Sequence, residues 1–177
     1  MKIIAISGHA QNGKDTVAKM LRDCLEADGN KVLIAHYGDL VKYVCRTFFD
    51  WDGNKDEYGR TLLQYVGTDV IRKADPDYWV RFIVQMLRFF PDAWDYVIIP
   101  DARFPNELRV LIDEHFQVVH LRVERPNFDN GLTDEQKEHP SETSLDHTEP
   151  DYRLINDGTL EHLELLIGEF VKENMYG

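Results

Sequence analysis

Cationic side chains are scarce in this chain: 20 Lys and Arg stand against 32 Asp and Glu, a formal net charge of −12 over 177 residues. A general nucleic-acid binder needs a basic face to neutralise phosphates, so that class is set aside. A single nucleotide site is not, because one loop and a few arginines can hold a triphosphate. Cysteine is equally sparse. Cys24 falls on the apolar stripe of the first helix-like stretch and Cys45 in a second, the placement of reduced core thiols rather than of a disulfide framework. No Cys/His spacing matches a zinc site. No segment approaches the roughly 18 apolar residues of a membrane span, and the N-terminal apolar run is too short for the hydrophobic region of a signal peptide. Repeats and low-complexity tracts are missing too. These absences lead us to expect a soluble, cytoplasmic chain with neither a membrane nor a nucleic-acid polymer as partner, folded as a single domain over 1–177, a monomer or a homodimer.

What is present is an alternation of strands and helices. Strands are expected at 3–7, 32–37, 96–100, 117–123 and 152–156, and helices at 15–27, 40–49, 60–73, 77–89, 106–114 and 160–173. "YVII" before Pro100 is a continuous apolar run, as in a strand buried on both faces. Pro76 and Pro105 stand near helix starts, where a missing N–H costs little, and Thr159 suits the N-cap of the last helix. Such alternation implies an α/β domain of three layers around a five-stranded parallel sheet, joined by right-handed crossovers. Two stretches break the pattern. Residues 39–82 form a long, helix-bearing insert, and the polar stretch 125–150 reads as a lid.

The most definite local signal is "SGHAQNGKDT", Ser7 to Thr16. Strand, glycine-bounded loop, lysine and helix are the layout of a phosphate-binding P-loop. Gly8 and Gly13 let the backbone N–H groups between them, including those of Ala10 and Asn12, turn inward as an anion nest. The following helix adds the positive end of its dipole, and Lys14 a mobile charge. Asp15 stands where this motif has a hydroxyl. Asp15 and Thr16 together still supply oxygen donors for Mg²⁺, which prefers oxygen and keeps several waters. At the end of the buried strand, Asp101 is placed as a Walker-B-like carboxylate at the edge where open α/β sheets bind ligands. Arg103 near that edge is suited to clamp a phosphate. Asn156-Asp157-Gly158 turns from the last strand into the last helix. In the insert, Arg60, Gln64, Arg72 and Arg81 offer polar contacts, and Tyr78 and Trp79 offer aromatic faces, as a second phosphate-bearing ligand with a base requires. Asp39 and Lys42 follow the second strand at the same edge.

In order along the chain, "SGHAQNGKDTVA", "GTDVIRKADPDYWV", "YVIIPDAR", "HLRVERP", "HPSE" and "LINDGTLEHL" resemble the phage-type deoxynucleoside monophosphate kinases, of the P-loop nucleoside monophosphate kinase group. In that family Asp-Thr follows the P-loop lysine. The resemblance implies a P-loop NTPase fold and Mg²⁺-assisted transfer of a phosphoryl group from ATP to a (deoxy)nucleoside monophosphate. Lys14, Asp101, Arg103 and, at the start of the lid, Arg125 would be catalytic. Gly8, Ala10, Asn12, Gly13, Lys14, Asp15, Thr16, Asn156 and Gly158 would bind ATP, and Asp15, Thr16 and Asp101 the metal. The acceptor would meet Asp39, Lys42, Arg60, Gln64, Thr68, Arg72 and Trp79. Dephospho-coenzyme A kinases and animal phosphomevalonate kinases share parts of this pattern. The rival reading from another class is a P-loop ATPase switch that uses the insert to bind a protein.

Overall fold

The computed structural model describes residues 1–175. Its sheet has five parallel strands in the order β2-β3-β1-β4-β5. They are β1 (Lys2–Ser7), β2 (Val32–Ile34), β3 (Tyr96–Ile99), β4 (Gln117–Glu124) and β5 (Tyr152–Ile155). The helices are α1 (Lys14–Ala27), α2 (Gly38–Phe48), α3 (Glu57–Gln64), α4 (Tyr78–Phe89), α5 (Pro105–Asp113), α6 (Asp134–Glu138), α7 (Pro140–Thr143) and α8 (Leu160–Asn174).

Alternation along the central strands divides the core into two layers. Ile4, Ile6 and Ile98 pack with Val17, Leu21 and Leu25 of α1 and Ile167 and Phe170 of α8. Ile3, Val97 and Ile99 pack on the other face, with Val41 and Cys45 of α2 and Trp79, Val80 and Leu87 of α4. A strand covered on both faces favours apolar side chains, and β3 is an uninterrupted buried run, YVII. Leu21 is fully buried, and its truncation to Ala would cost roughly 2–5 kcal/mol.

After β1 the chain runs to β2 and β3 on one side; after β3 it runs to β4 and β5 on the other. The reversal opens a crevice at the C-terminal ends of β1 and β3, where ligands bind in sheets of this kind. The loop after β1 and the loop carrying Asp101 both open into it.

Three elements differ from expectation. Strand β2 is shorter than 32–37, because the chain turns after Ile34 so that the Tyr37 and Gly38 N–H groups reach Asp101. The helix expected over 60–73 starts at Glu57, where the Asp56 side chain caps the Gly59 N–H, and continues as a π-helical segment, Tyr65–Arg72. The stretch 125–150, read as a lid with no helix expected in it, is partly helical. It carries α6 and α7, and Leu132, Gln136, Ser141 and Leu145 are buried, with Leu145 packed on Ala5, Ala102 and Leu108. Thr159 caps α8 through the His162 N–H as expected. No helix among the described residues is long and apolar enough to cross a membrane.

Candidate active site

The loop from Gly8 to Gly13 is fixed from beneath. Gly8 has φ 137° and lies so close to β4 that a Cβ would stand 2.2 Å from the Val123 carbonyl oxygen. Gly13 has φ 97°, and a Cβ there would meet the Asn156 amide at 2.6 Å. Only glycine satisfies both the left-handed conformation and the contact. The Asn12 amide donates to the Val123 carbonyl at 3.1 Å, and the Asn156 amide donates to the Asn12 carbonyl at 2.9 Å. The turn after β5 thus holds the loop directly. Gly158 lies exposed beyond it.

Lys14 begins α1 and folds back across the loop, donating to the Gly8 and His9 carbonyls at 2.7 and 2.8 Å. Burial, with Arg103 close by, lowers its pKa to about 8. Asp15 points outward. Its carboxylate lies 3.5 Å from His36 Nε2, a contact that lowers the Asp15 pKa and raises that of His36. His36 also approaches Asp39, at 3.7 Å from Nδ1. Thr16 is half-buried in the first turn of α1.

Asp101 follows β3 and accepts two N–H groups at the start of α2, Tyr37 at 3.0 Å and Gly38 at 2.8 Å. It therefore ties the end of β3 to the turn between β2 and α2. The next loop is held by Glu107, whose Oε2 accepts the Arg103 N–H at 2.7 Å and the Phe104 N–H at 3.1 Å. Its Oε1 pairs with Arg72. Glu107 is 1% exposed. Burial pushes its carboxyl up, against Arg72 and the two N–H donors. Arg72 also stacks on Phe104, 3.9 Å from the ring centroid. Arg103 turns to α7, pairing with Glu142 and donating to the Ser141 carbonyl.

These groups surround one cleft of ≈ 460 Å³. Of the residues singled out in the sequence, Ala10, Lys14, Asp15, Lys42, Arg60, Gln64, Thr68, Arg72, Trp79, Asp101 and Arg103 line it. Lys42 is paired with Asp39 at 2.7 Å. Arg60 and Lys55, by contrast, line the cleft with no ion pair among the described residues. Trp79 is a wall rather than a stacking platform: it is 2% exposed and its indole donates to the Gly67 carbonyl at 3.0 Å. Asp39, Thr16, Asn156 and Gly158 are not part of its lining, and two further expected residues are engaged elsewhere. Arg81 pairs with Asp75 at the surface, and Arg125 lies over the Phe128 ring, 4.0 Å from its centroid.

The sequence reading passed over His36, Lys55, Glu107 and Glu142. Glu107 carried a usable signal, since a Glu in the first turn of a Pro-started helix can reach back to the N-cap backbone N–H, as it does to Phe104. Nothing local marks the others.

A metal fits this site only as part of a larger assembly. Among the described residues no three His, Cys, Asp or Glu side chains converge as a ligand set. Asp15 offers a carboxylate that is 75% exposed beside the loop. One or two carboxylates completed by substrate phosphates and water is the coordination Mg²⁺ commonly takes.

Solved structures share this architecture. An APS kinase from Mycobacterium tuberculosis, in complex with AMPPNP and APS, superposes with a TM-score of 0.55 at 14% identity over 97% of each chain. A shikimate kinase from Aquifex aeolicus does so with a TM-score of 0.54 at 15% identity over 99% of each chain. At such identity they establish the fold as that of the P-loop kinases. Two curated relatives are closer in sequence, both named deoxynucleotide monophosphate kinase. The one from Enterobacteria phage T4 is 34% identical and the one from Escherichia phage RB69 31% identical, each over 106 residues. The match takes in 59% of this chain and 41% of each relative. The deoxynucleotide monophosphate kinase family model matches residues 41–167, from α2 through the insert and the Arg103 loop into α8. The phosphate loop precedes that stretch and supplies by its geometry what the family match leaves out. The chain belongs to the deoxynucleotide monophosphate kinase family.

Proposed function

We propose that this chain transfers the terminal phosphoryl group of ATP to a deoxynucleoside monophosphate, giving ADP and the deoxynucleoside diphosphate. The observation that supports the reading is that one cleft is lined by two sets of groups suited to phosphate, enough for a donor station and a second, acceptor station. Lys14 and Arg103 line this cleft beside Ala10 and Gln11 of the glycine loop, and so do Arg60 and Lys55, which have no ion pair among the described residues. An ATPase switch has no use for the second station.

The donor phosphates would lie against the N–H groups of the loop and the first turn of α1, where the dipole favours anions. Lys14 would leave the Gly8 and His9 carbonyls for the phosphate oxygens. Asp15 and Thr16 would hold Mg²⁺ together with those oxygens, directly or through water, and the ion would supply further charge neutralisation. Asp101 keeps the α2 start and the β3 end in register around the reacting groups, and with the metal bound it is a candidate outer ligand. An oxygen of the acceptor monophosphate attacks the terminal phosphorus as the bond to the ADP oxygen breaks. Alignment and charge neutralisation suffice for this chemistry, and Arg103 is the cation suited to the moving group. Arg60, with Lys55 and Lys42, would hold the acceptor phosphate, while Gln64, Thr68 and the edge of Trp79 would border its base or sugar. Asn156 would act through the loop it holds. Segments 39–82 and 125–150 would act as acceptor insert and lid of one domain.

The test is coupled ADP release with Mg-ATP and a panel of ribo- and deoxynucleoside monophosphates, with dephospho-coenzyme A and phosphomevalonate included. Release that depends on one or a few deoxynucleotides is expected. Slow release, equal with and without every acceptor, would assign the site to an ATPase instead.

A further inference from the structure

The phosphate loop is already in contact with an anion, and the anion belongs to the chain. Glu142 Oε2 accepts the Ala10 N–H at 2.8 Å, while Oε1 pairs with the Arg103 guanidinium. The Glu142 side chain is only 7% exposed. Arg103 is held there by a second bond to the Ser141 carbonyl, at 2.8 Å. A carboxylate is thus bracketed between an N–H of the anion nest and the arginine at the reaction edge, with Lys14 beside them.

Neighbouring contacts make this docking a built arrangement. His9 Nε2 lies 2.9 Å from Asp146 Oδ1, and Asp146 is itself fixed at 2.6 Å by the buried Arg122. The Gln11 amide donates to the Asn130 carbonyl at 2.6 Å. Glu142 is also the common wall of two cavities. One is the cleft already described; the other, of ≈ 470 Å³, is lined by His9, Phe128, Asn130 and Lys137 among others.

We propose that Glu142 is a specificity residue of the donor site: an internal stand-in for the terminal phosphate, which a nucleoside triphosphate must displace and a diphosphate need not. This rests on the kinase reading above and names how that site tells its donor from its product. A carboxylate offers two oxygens and one negative charge to Ala10 and Arg103. A terminal phosphate offers three oxygens and more charge, and can engage Ala10, Arg103 and Lys14 together, so the exchange favours the triphosphate. The two phosphates of ADP fall nearer the helix start and leave the carboxylate in place. After transfer, return of Glu142 covers Arg103 again and keeps water from the place the phosphoryl group has left. A site open only part of the time binds with its affinity reduced by that fraction, so an undocked population of about one-tenth weakens the donor about tenfold.

The experiment is calorimetric titration of the full chain, in Mg²⁺, with AMPPNP and separately with ADP. Wild type, Glu142→Ala and Glu142→Gln are compared, with thermal melts to verify folding; Glu142→Asp, which keeps the charge on a shorter stem, serves if the others unfold. The expected result is AMPPNP binding about tenfold tighter in Glu142→Ala, less so in Glu142→Gln, with ADP affinity within about twofold of wild type. AMPPNP affinity unchanged or weaker in folded variants would overturn the proposal and leave the kinase reading standing. Equal tightening of both nucleotides would also overturn it, because the effect would then be general loosening of the loop. If wild type and variants bind neither nucleotide, the donor-site reading fails and this proposal with it.

Discussion

Replacing Glu107 by Gln is the change that most sharply separates what holds the site from what does chemistry in it. The carboxylate joins three elements: the Arg103 loop through two backbone N–H groups, α5 on which it sits, and the π-helical end of the insert through Arg72. Gln retains one oxygen for the N–H donors but turns an NH₂ toward a guanidinium that is 11% exposed. Removing one partner of a buried pair costs roughly 3–5 kcal/mol. In a chain of this size each kcal/mol lowers Tm by roughly 2–4 °C, so a fall of about 10 °C is expected. The assay is a double-mutant cycle in denaturant with Arg72→Met as the second change. The double variant should recover part of the loss, with a coupling of roughly 1–3 kcal/mol. At a temperature where Glu107→Gln remains folded, kcat should still fall, because the Arg103 backbone has lost part of its anchor. A loss of stability below about 1 kcal/mol, or strict additivity with Arg72→Met, would refute the reasoning.

Other consequences follow from the same geometry. Lys14, with its pKa at about 8, should be about nine-tenths protonated at pH 7 and about one-tenth at pH 9. Donor phosphates favour its charged form, so ATP binding near pH 8 should take up protons and weaken as pH rises; titrations in buffers of different ionisation enthalpy read this, and pH-independent affinity would contradict it. For stability the sign is reversed. Between the folded value of about 8 and the ordinary 10.5 the unfolded chain holds the extra proton, so this residue's penalty on folding shrinks as pH rises through that window. Gly8→Ala forces a Cβ against the Val123 carbonyl at φ 137°, and should cost roughly 1–3 kcal/mol with loss of nucleotide binding; a normal ATP titration would show that the loop is not where donor phosphates sit. Arg60→Ala should raise the acceptor KM roughly 10- to 100-fold with donor KM unchanged, whereas Arg81→Ala, whose guanidinium is engaged by Asp75 at the surface, should alter neither.

Local pattern carried much of this to the reader of the sequence. The glycine loop, the apolar run of β3 and the helical spacings are short-range signals, and each expected strand and helix lies within a few residues of its place, whereas α6 and α7 have no counterpart in the pattern. Asp101 and Arg103 can be placed at the sheet edge because a buried strand fixes where its end must be, and both line the cleft. What escaped depended on contacts between distant segments. Glu142 meets Ala10 across 132 positions of sequence, and Arg72 looks like a free cation until Glu107, 35 residues on, is seen to neutralise it. Trp79 has the same spacing whether it stacks on a ligand or fills the core; only the Gly67 carbonyl within reach of its indole decides. Arg125 was assigned from resemblance, and its stacking on Phe128 leaves it outside the cleft.

The central claim is that two phosphate stations face one cleft and exchange a phosphoryl group. It is tested most directly by following the label from γ-labelled ATP, in Mg²⁺, with a mixture of deoxynucleoside monophosphates. The account predicts that label appears in a deoxynucleoside diphosphate, in proportion to the ADP formed, and that Lys14→Ala lowers the rate by roughly 10²-fold or more. Label recovered only as inorganic phosphate, at a rate indifferent to the acceptors, would contradict it.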